Sequence, residues 1–314
     1  MAIQPSFWDD PENNIRQEIT PLPAASDNTP IDSWIGGIHP DGYLEFSKGF
    51  YLYADKLSRM LDYLEHNRDE NERIYGQLAS ITGLSESRVE ALVQYAVYMQ
   101  LLVPRTLFPT PLCRLVLSQD PFFDHNGTLW LLHYLLASNP LLVVWNYMCN
   151  AVLPAVAEIQ KGEAAERFMV FSGRWSETSL QKKTRKELRA FFAVYTEEMF
   201  APIVYLRQIK PRVYVPTRDV VPVPKQILLA TALVFRDRFH PGASGVEIPT
   251  LIHADNSPGR LMRQREAYIR KALDELHEAG LLTIESKANL DQIRYKSSIT
   301  WLDAVRLYYQ NSNP

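Results

Sequence analysis

Apolar residues between Ala54 and Asn67 recur at helical spacing: Leu57, Met60, Leu61 and Leu64 fall on one face, with Lys56, Arg59, Asp62 and Glu65 mostly on the other. The pattern predicts a surface helix. A polar break follows, then a short helix over 74–82, a turn at Gly83 and a longer helix over 85–102. Ser85 has the chemistry of an N-cap, and Gly83 tolerates a positive φ. Helix, glycine turn, longer helix is the order of a helix-turn-helix unit. Residues 101–108 and the segment Thr110-Pro-Leu-Cys-Arg-Leu-Val-Leu117 then read as a short hairpin or wing closing onto another helix. From Gly127 to Pro140 apolar residues cover nearly the whole helical circumference, so this helix is expected to be buried, with 141–156 as its packing partner.

In the second half, Leu180, Leu188, Phe191, Phe192 and Tyr195 mark the inner side of a helix over 180–195. Lys182, Lys183, Arg185, Lys186 and Arg189 crowd the remainder, against Glu187 alone. A proline-rich connector over 211–224 precedes a helix over 225–239, a short helix over 247–253 and a turn over 256–259. An amphipathic helix over 260–279 comes next, with Tyr268, Leu273 and Leu276 inward and Gly280 as its C-cap. Residues 281–299 read as two strands around a turn near 288–291, a wing directly after a helix, and Trp301 to Tyr309 as a closing helix.

The fold class expected is therefore mainly α, with tandem winged-helix or helix-turn-helix-like units around a buried central helical pair and short β-hairpin wings. The units divide as follows: an extended or disordered arm over 1–42, broken by Pro21, Pro23, Pro30 and Pro40, and an N-terminal winged-helix-like unit over 43–125. A central helical unit with the basic segment spans 126–210, the connector 211–224, and a C-terminal winged-helix domain 225–314. The length of 314 residues agrees with two or three such units.

Charge sharpens this picture. The net charge of -3 conceals an asymmetry: residues 1–150 carry nine Lys/Arg against eighteen Asp/Glu, and residues 151–314 twenty-four against eighteen. A polyanion would engage the second half, while the acidic half suits solvent or a protein. Cys113 and Cys149 are too few for a disulfide framework or a four-cysteine zinc site. No secretory leader pattern is visible, and no apolar run approaches the roughly 18 residues that span a bilayer, so a cytoplasmic protein without membrane association is expected.

Catalytic signatures do not emerge. There is no Gly-x-Ser-x-Gly elbow, no Cys-His arrangement and no glycine-rich phosphate loop followed by Lys-Ser/Thr. The pairs Asp69-Glu70 and Glu197-Glu198 are adjacent and point to different helix faces. His133, on an apolar helix beside Trp130 and Tyr134, reads as a buried hydrogen-bonded histidine rather than a ligand. The expectation is a non-enzyme with no catalytic residue, metal or cofactor.

The segments Phe108-Pro-Thr-Pro-Leu-Cys-Arg-Leu-Val-Leu117, Asp120-Pro-Phe-Phe-Asp124 and Gly127-Thr-Leu-Trp-Leu-Leu-His-Tyr-Leu-Leu-Ala-Ser-Asn-Pro140 carry a resemblance. The stretch Phe46 to Pro154 resembles a prokaryotic family, domain of unknown function 4007, and the likeness continues more weakly through Thr178-Ser-Leu180 to Tyr195 and beyond. Members often open with a His-Glu-containing motif where this chain has Phe46-Ser-Lys-Gly-Phe-Tyr51. The resemblance implies a genomic setting and no mechanism: proximity to PAPS-reductase-like and cysteine-desulfurase genes in DNA-modification loci, including phosphorothioation, and in phage-defence loci.

Together these readings point to a DNA-binding accessory or regulatory protein. Lys182, Lys183, Arg185, Lys186 and Arg189 form one candidate phosphate-contacting face. Arg260, Arg263, Arg265, Arg270 and Lys271 on the presumed recognition helix, with Lys287, Arg294 and Lys296 on its wing, form the other. Winged helices also use such surfaces for protein contacts, so the alternative is an adaptor that holds other subunits of a defence or modification complex.

Overall fold

The chain enters α1 (Ala54–His66) from extended Tyr53 and buries the predicted Leu57, Met60, Leu61 and Leu64 stripe. Residues 41–67, 74–287 and 290–312 are described by the computed structural model, apart from the side chain of Lys287. Of the expected arm over 1–42, residues 1–40 lie outside the described residues. Next come α2 (Ile74–Thr82), the turn at Gly83 and α3 (Glu86–Tyr98). Ser85 sits extended at the start of α3, and its backbone carbonyl, not its side chain, takes the first helical N–H bonds.

Residues 110–117 do not form the expected hairpin or wing. They are the body of α4 (Pro111–Gln119), preceded by one antiparallel bridge between Leu102 and Pro109. Thr110 Oγ1 accepts the Cys113 N–H at 3.1 Å and Pro111 takes the first helical position, the two strongest start signals a helix has. The central helix α5 (Asn126–Ala137) is buried on every side, as its all-round apolar pattern requires. It packs with α6 (Val143–Tyr147), which continues through a π turn (Met148–Val152) into the short α7 (Leu153–Ala155).

The chain then forms β1 (Ile159–Gln160), α8 (Lys161–Glu166), a 3₁₀ turn (Arg167–Phe171) and the 20-residue α9 (Glu177–Thr196). After a second 3₁₀ turn (Ala201–Ile203), β2 (Leu206–Lys210) and β3 (Val213–Pro216) form a hairpin, and β1 pairs with β3 to give the antiparallel order β1-β3-β2. The last third holds α10 (Lys225–Phe239), β4 (Gly245–Glu247), α11 (Ile248–His253), α12 (Pro258–Met262) and α13 (Glu266–Glu278). The hairpin β5 (Leu282–Lys287) and β6 (Leu290–Tyr295) follows, then α14 (Trp301–Ser312), with sheet order β4-β6-β5. The molecule is thus mainly helical, with two small antiparallel three-stranded sheets.

The helix expected over 260–279 is two helices. Ser257 Oγ accepts the Arg260 N–H at 3.3 Å and starts α12, and Arg263 then adopts a left-handed conformation, φ +53°, that ends it. Only from Glu266 does α13 run. One apolar cluster connects these elements from Leu44 to Tyr309. Within it the first half meets the C-terminal helix at Gly127, whose N–H donates to Tyr308 Oη at 3.2 Å. A Cβ at Gly127 would lie 2.3 Å from Tyr308 Cζ, so no other residue permits this approach. Among the described residues no helix is long and apolar enough to cross a membrane.

Candidate nucleic-acid interface

Helix α9 is built for one wet and one dry side. Ser176 caps it by accepting the Ser179 N–H, and Leu180, Leu188, Phe191, Phe192 and Tyr195 are buried as their spacing predicts. Lys182, Lys183, Arg185, Lys186 and Arg189 are all exposed, and residues three and four apart stack along the helix surface. Lys186 pairs with Glu45 at 3.1 Å, and Arg189 donates to the Gly49 carbonyl at 3.2 Å. Lys182, Lys183 and Arg185 have no ion pair among the described residues. This face therefore presents positive charge that the described residues do not neutralise by ion pairs.

Glu187 does not offset that charge at the surface. It is 1% exposed and points inward, where Oε1 accepts the Trp145 indole N–H at 2.9 Å and Oε2 accepts the Ser47 hydroxyl at 2.7 Å and the Ser47 backbone N–H at 3.3 Å. Burial raises its pKa to about 7 against the pull of those three donors. The loop Phe46-Ser-Lys-Gly-Phe-Tyr51 thereby becomes a strap fixed across α9. Gly49 completes the seat with φ +76° and space for a Cβ only 3.1 Å from an Arg189 guanidinium nitrogen and 3.2 Å from the Lys186 carbonyl oxygen.

The second predicted basic set fares differently. Arg263 is 9% exposed and lies off α13. Its Nε donates to the Thr217 carbonyl at 2.7 Å and an Nη to the Leu153 carbonyl at 2.9 Å, so it serves the interior and not a ligand. Arg260, on α12, is likewise held by the carbonyls of Asn150 at 2.7 Å and His253 at 3.0 Å. Arg265 precedes α13 and pairs with Asp219 at 2.8 Å. Arg270 bridges Glu266 at 2.8 Å and Asp291 at 2.9 Å, and Arg294 pairs with Glu285 at 2.6 Å. Lys271 is exposed, 4.0 Å from Glu275, and Lys296 is exposed beyond β6. Lys287 ends β5, with its side chain outside the described residues. Its cations are largely paired, so this surface offers less free positive charge than α9.

Sequence reasoning missed cations that the fold adds to α9. Lys161, at the start of α8, is shifted down by burial first and then by Arg189 and Arg212, which places three positive groups together. No local pattern connects them, because they come from α8, α9 and the turn between β2 and β3.

Elsewhere the chemistry is quiet. His133 is fully buried: its Nδ1 and the Tyr195 hydroxyl lie 2.5 Å apart, and its Nε2 lies 3.0 Å from the Leu261 carbonyl. Burial lowers its pKa to about 4, so the ring is neutral, with Nε2–H donating to Leu261 and Nδ1 accepting from Tyr195. Burial likewise pushes the thiols of Cys113 and Cys149 up to about 12, which keeps them protonated.

A comparison with curated proteins gives no match. Two solved structures share the fold. One, described as an SspB crystal structure, has 17% identity over 90% of this chain and 92% of its own, with a TM-score of 0.71. The other, a magnesium ion-bound SspB crystal structure, has 15% identity over 89% and 92%, with a TM-score of 0.70. Among the described residues of this chain, no three His, Cys, Asp or Glu side chains come together as a metal site. The family described as "Protein of unknown function (DUF4007)" matches residues 99–309, two thirds of the sequence, and the chain belongs to that family.

Proposed function

We propose that the chain is a non-enzymatic DNA-binding accessory or regulatory protein of a prokaryotic DNA-modification or phage-defence system, working in the cytoplasm without a cofactor. It engages duplex DNA through the exposed face of α9. The observation that carries this reading is the exposure of Lys182, Lys183 and Arg185 without acidic partners among the described residues, on a face that Lys186 and Arg189 extend. An unneutralised row of cations along one helix is the electrostatic footprint of phosphate binding.

The winged-helix reading of 225–312 belongs to the same proposal. There α13 followed by the β5–β6 hairpin offers Lys271 and Lys296 as a secondary contact to the phosphate backbone. The genomic setting, DNA phosphorothioation included, is what the resemblance implies; the family match itself supports only membership in a family described as of unknown function.

Duplex binding measured by fluorescence anisotropy tests the reading. Lys182→Ala, Lys183→Ala and Arg185→Ala combined should weaken binding at least tenfold, as removal of three phosphate contacts requires. Absence of binding at low salt would remove it. A protein adaptor is the second reading, favoured by Phe108 and Phe122, exposed at 42% and 69% on the acidic half. It predicts a subunit captured through Phe122 and indifference to DNA.

A further inference from the structure

At one end of the α9 face the strap, α3 and α9 enclose a cleft lined by Gly49, Phe50, Tyr51, Tyr53, Leu84, Arg88 and Arg189, with a volume of about 250 Å³. Its make-up is specific. Two guanidinium groups from different helices line it with three aromatic rings, Phe50 and Tyr51 of the strap and Tyr53 just after it. Arg88 is exposed, lies 5.7 Å from the Phe50 ring centroid and has no ion pair among the described residues. Tyr51 and Tyr53 are half-buried, with ring centroids 6.2 Å apart.

We infer that this cleft is a subsite for one unpaired nucleotide, whose phosphate meets Arg88 and Arg189 and whose base stacks among Phe50, Tyr51 and Tyr53. The inference rests on the α9 reading for the path of the nucleic acid, and it adds the recognition of a base outside the stack. Aromatic faces beside cations are the recurring chemistry of single-strand binding, because every base has a π-face and every nucleotide a phosphate. The volume falls just under the roughly 300 Å³ at which drug-sized pockets begin, which suits a single unit and no longer segment.

Charge is mixed at Tyr53: Glu198 and Asp55 act on it against Arg88, and Asp55 is itself paired with Lys56 at 3.1 Å, so Arg88 is the phosphate partner at this end. Arg189 and Arg212 both act on Lys161, with Glu197 opposing them, so three cations against one carboxylate make this the end that attracts a phosphate. Arg189 belongs to both surfaces, so a strand whose backbone follows Lys182 to Lys186 arrives at the cleft with its next phosphate in reach.

The full-length chain tests this with fluorescein-labelled hexathymidylate, competed by thymidine 5′-monophosphate, thymidine and inorganic phosphate, beside a duplex of random sequence. The monophosphate should displace the oligonucleotide better than either thymidine or phosphate. Arg88→Gln and Tyr51→Ala should each weaken hexathymidylate binding on the order of tenfold, the size of one stacking or phosphate contact, while Tyr51→Phe retains it. Melting curves of each variant verify the fold. Wild-type binding by both Arg88→Gln and Tyr51→Ala would overturn the subsite, and so would phosphate competing as well as the monophosphate. The combined Lys182, Lys183 and Arg185 variant separates the two claims. Monophosphate displacement that survives there supports the subsite. Duplex binding that also survives overturns the α9 reading alone.

Discussion

Ser47 and Glu187 stand 140 positions apart in sequence, yet the Ser47 hydroxyl donates to the Glu187 carboxylate at 2.7 Å in the interior. This bond ties the strap to α9 and so fixes the floor of the cleft and the aspect of the basic face together. Above pH 7, where the Glu187 carboxyl is ionised, a hydrogen bond to this buried charge contributes about 1.5–3 kcal/mol. Ser47→Ala should therefore lower unfolding free energy by about 2 kcal/mol in urea titrations. A change below about 0.5 kcal/mol would show that the strap is not held this way.

The same carboxylate makes stability depend on pH. Its folded pKa of about 7 exceeds the ordinary 4.5, so the folded state binds a proton that the unfolded chain releases. Its contribution is fully present below pH 4.5 and is lost as pH rises to 7. The groups that face it are Ser47, Trp145, Tyr95 and the Glu45 carboxylate. A shift of this size corresponds to about 3 kcal/mol. Urea unfolding at a series of pH values should show that decline in the wild type and a flatter profile in Glu187→Gln; equal slopes would contradict the assignment.

Gly127 gives a steric prediction. Any side chain there meets the Tyr308 ring, so Gly127→Ala should destabilise by about 1–3 kcal/mol, the usual cost of overpacking. Thermal unfolding reads this, and Tyr308→Ala in the same chain should restore part of the loss. No recovery in the double variant would place the strain elsewhere.

Arg263 and the α9 cations separate stability from binding. Arg263→Ala removes two charged hydrogen bonds to carbonyls of other segments and should cost about 2–4 kcal/mol of stability while leaving the duplex affinity of the folded fraction unchanged. Chemical denaturation and anisotropy on the same sample check both halves of the statement.

Much of the helical framework was legible, because periodicity reports burial directly. The stripe of α1, the all-apolar α5 and the inner face of α9 all appear in the pattern of positions. What the pattern hid was long-range. Glu187 reads as one more polar residue on a charged face, since its donors Ser47 and Trp145 lie on other segments. The break at Arg263 carries no proline or glycine signal. The neutralised state of Arg265, Arg270 and Arg294 depends on Asp219, Asp291 and Glu285, supplied by other elements or by the facing strand. At Thr110-Pro111 the start signals are local and legible, a capping hydroxyl followed by proline at the first helical position, and they decide for a helix over the expected hairpin.

The salt dependence of duplex binding tests the central claim most directly. For B-DNA the slope of log K against log salt is about 0.9 per phosphate contact, so the combined Lys182→Ala, Lys183→Ala and Arg185→Ala variant should have a slope shallower by about 2 to 3 than wild type. A wild type that binds with a steep slope and a variant that loses this much would support α9 as the phosphate-contacting face. A variant whose slope equals that of the wild type would contradict it.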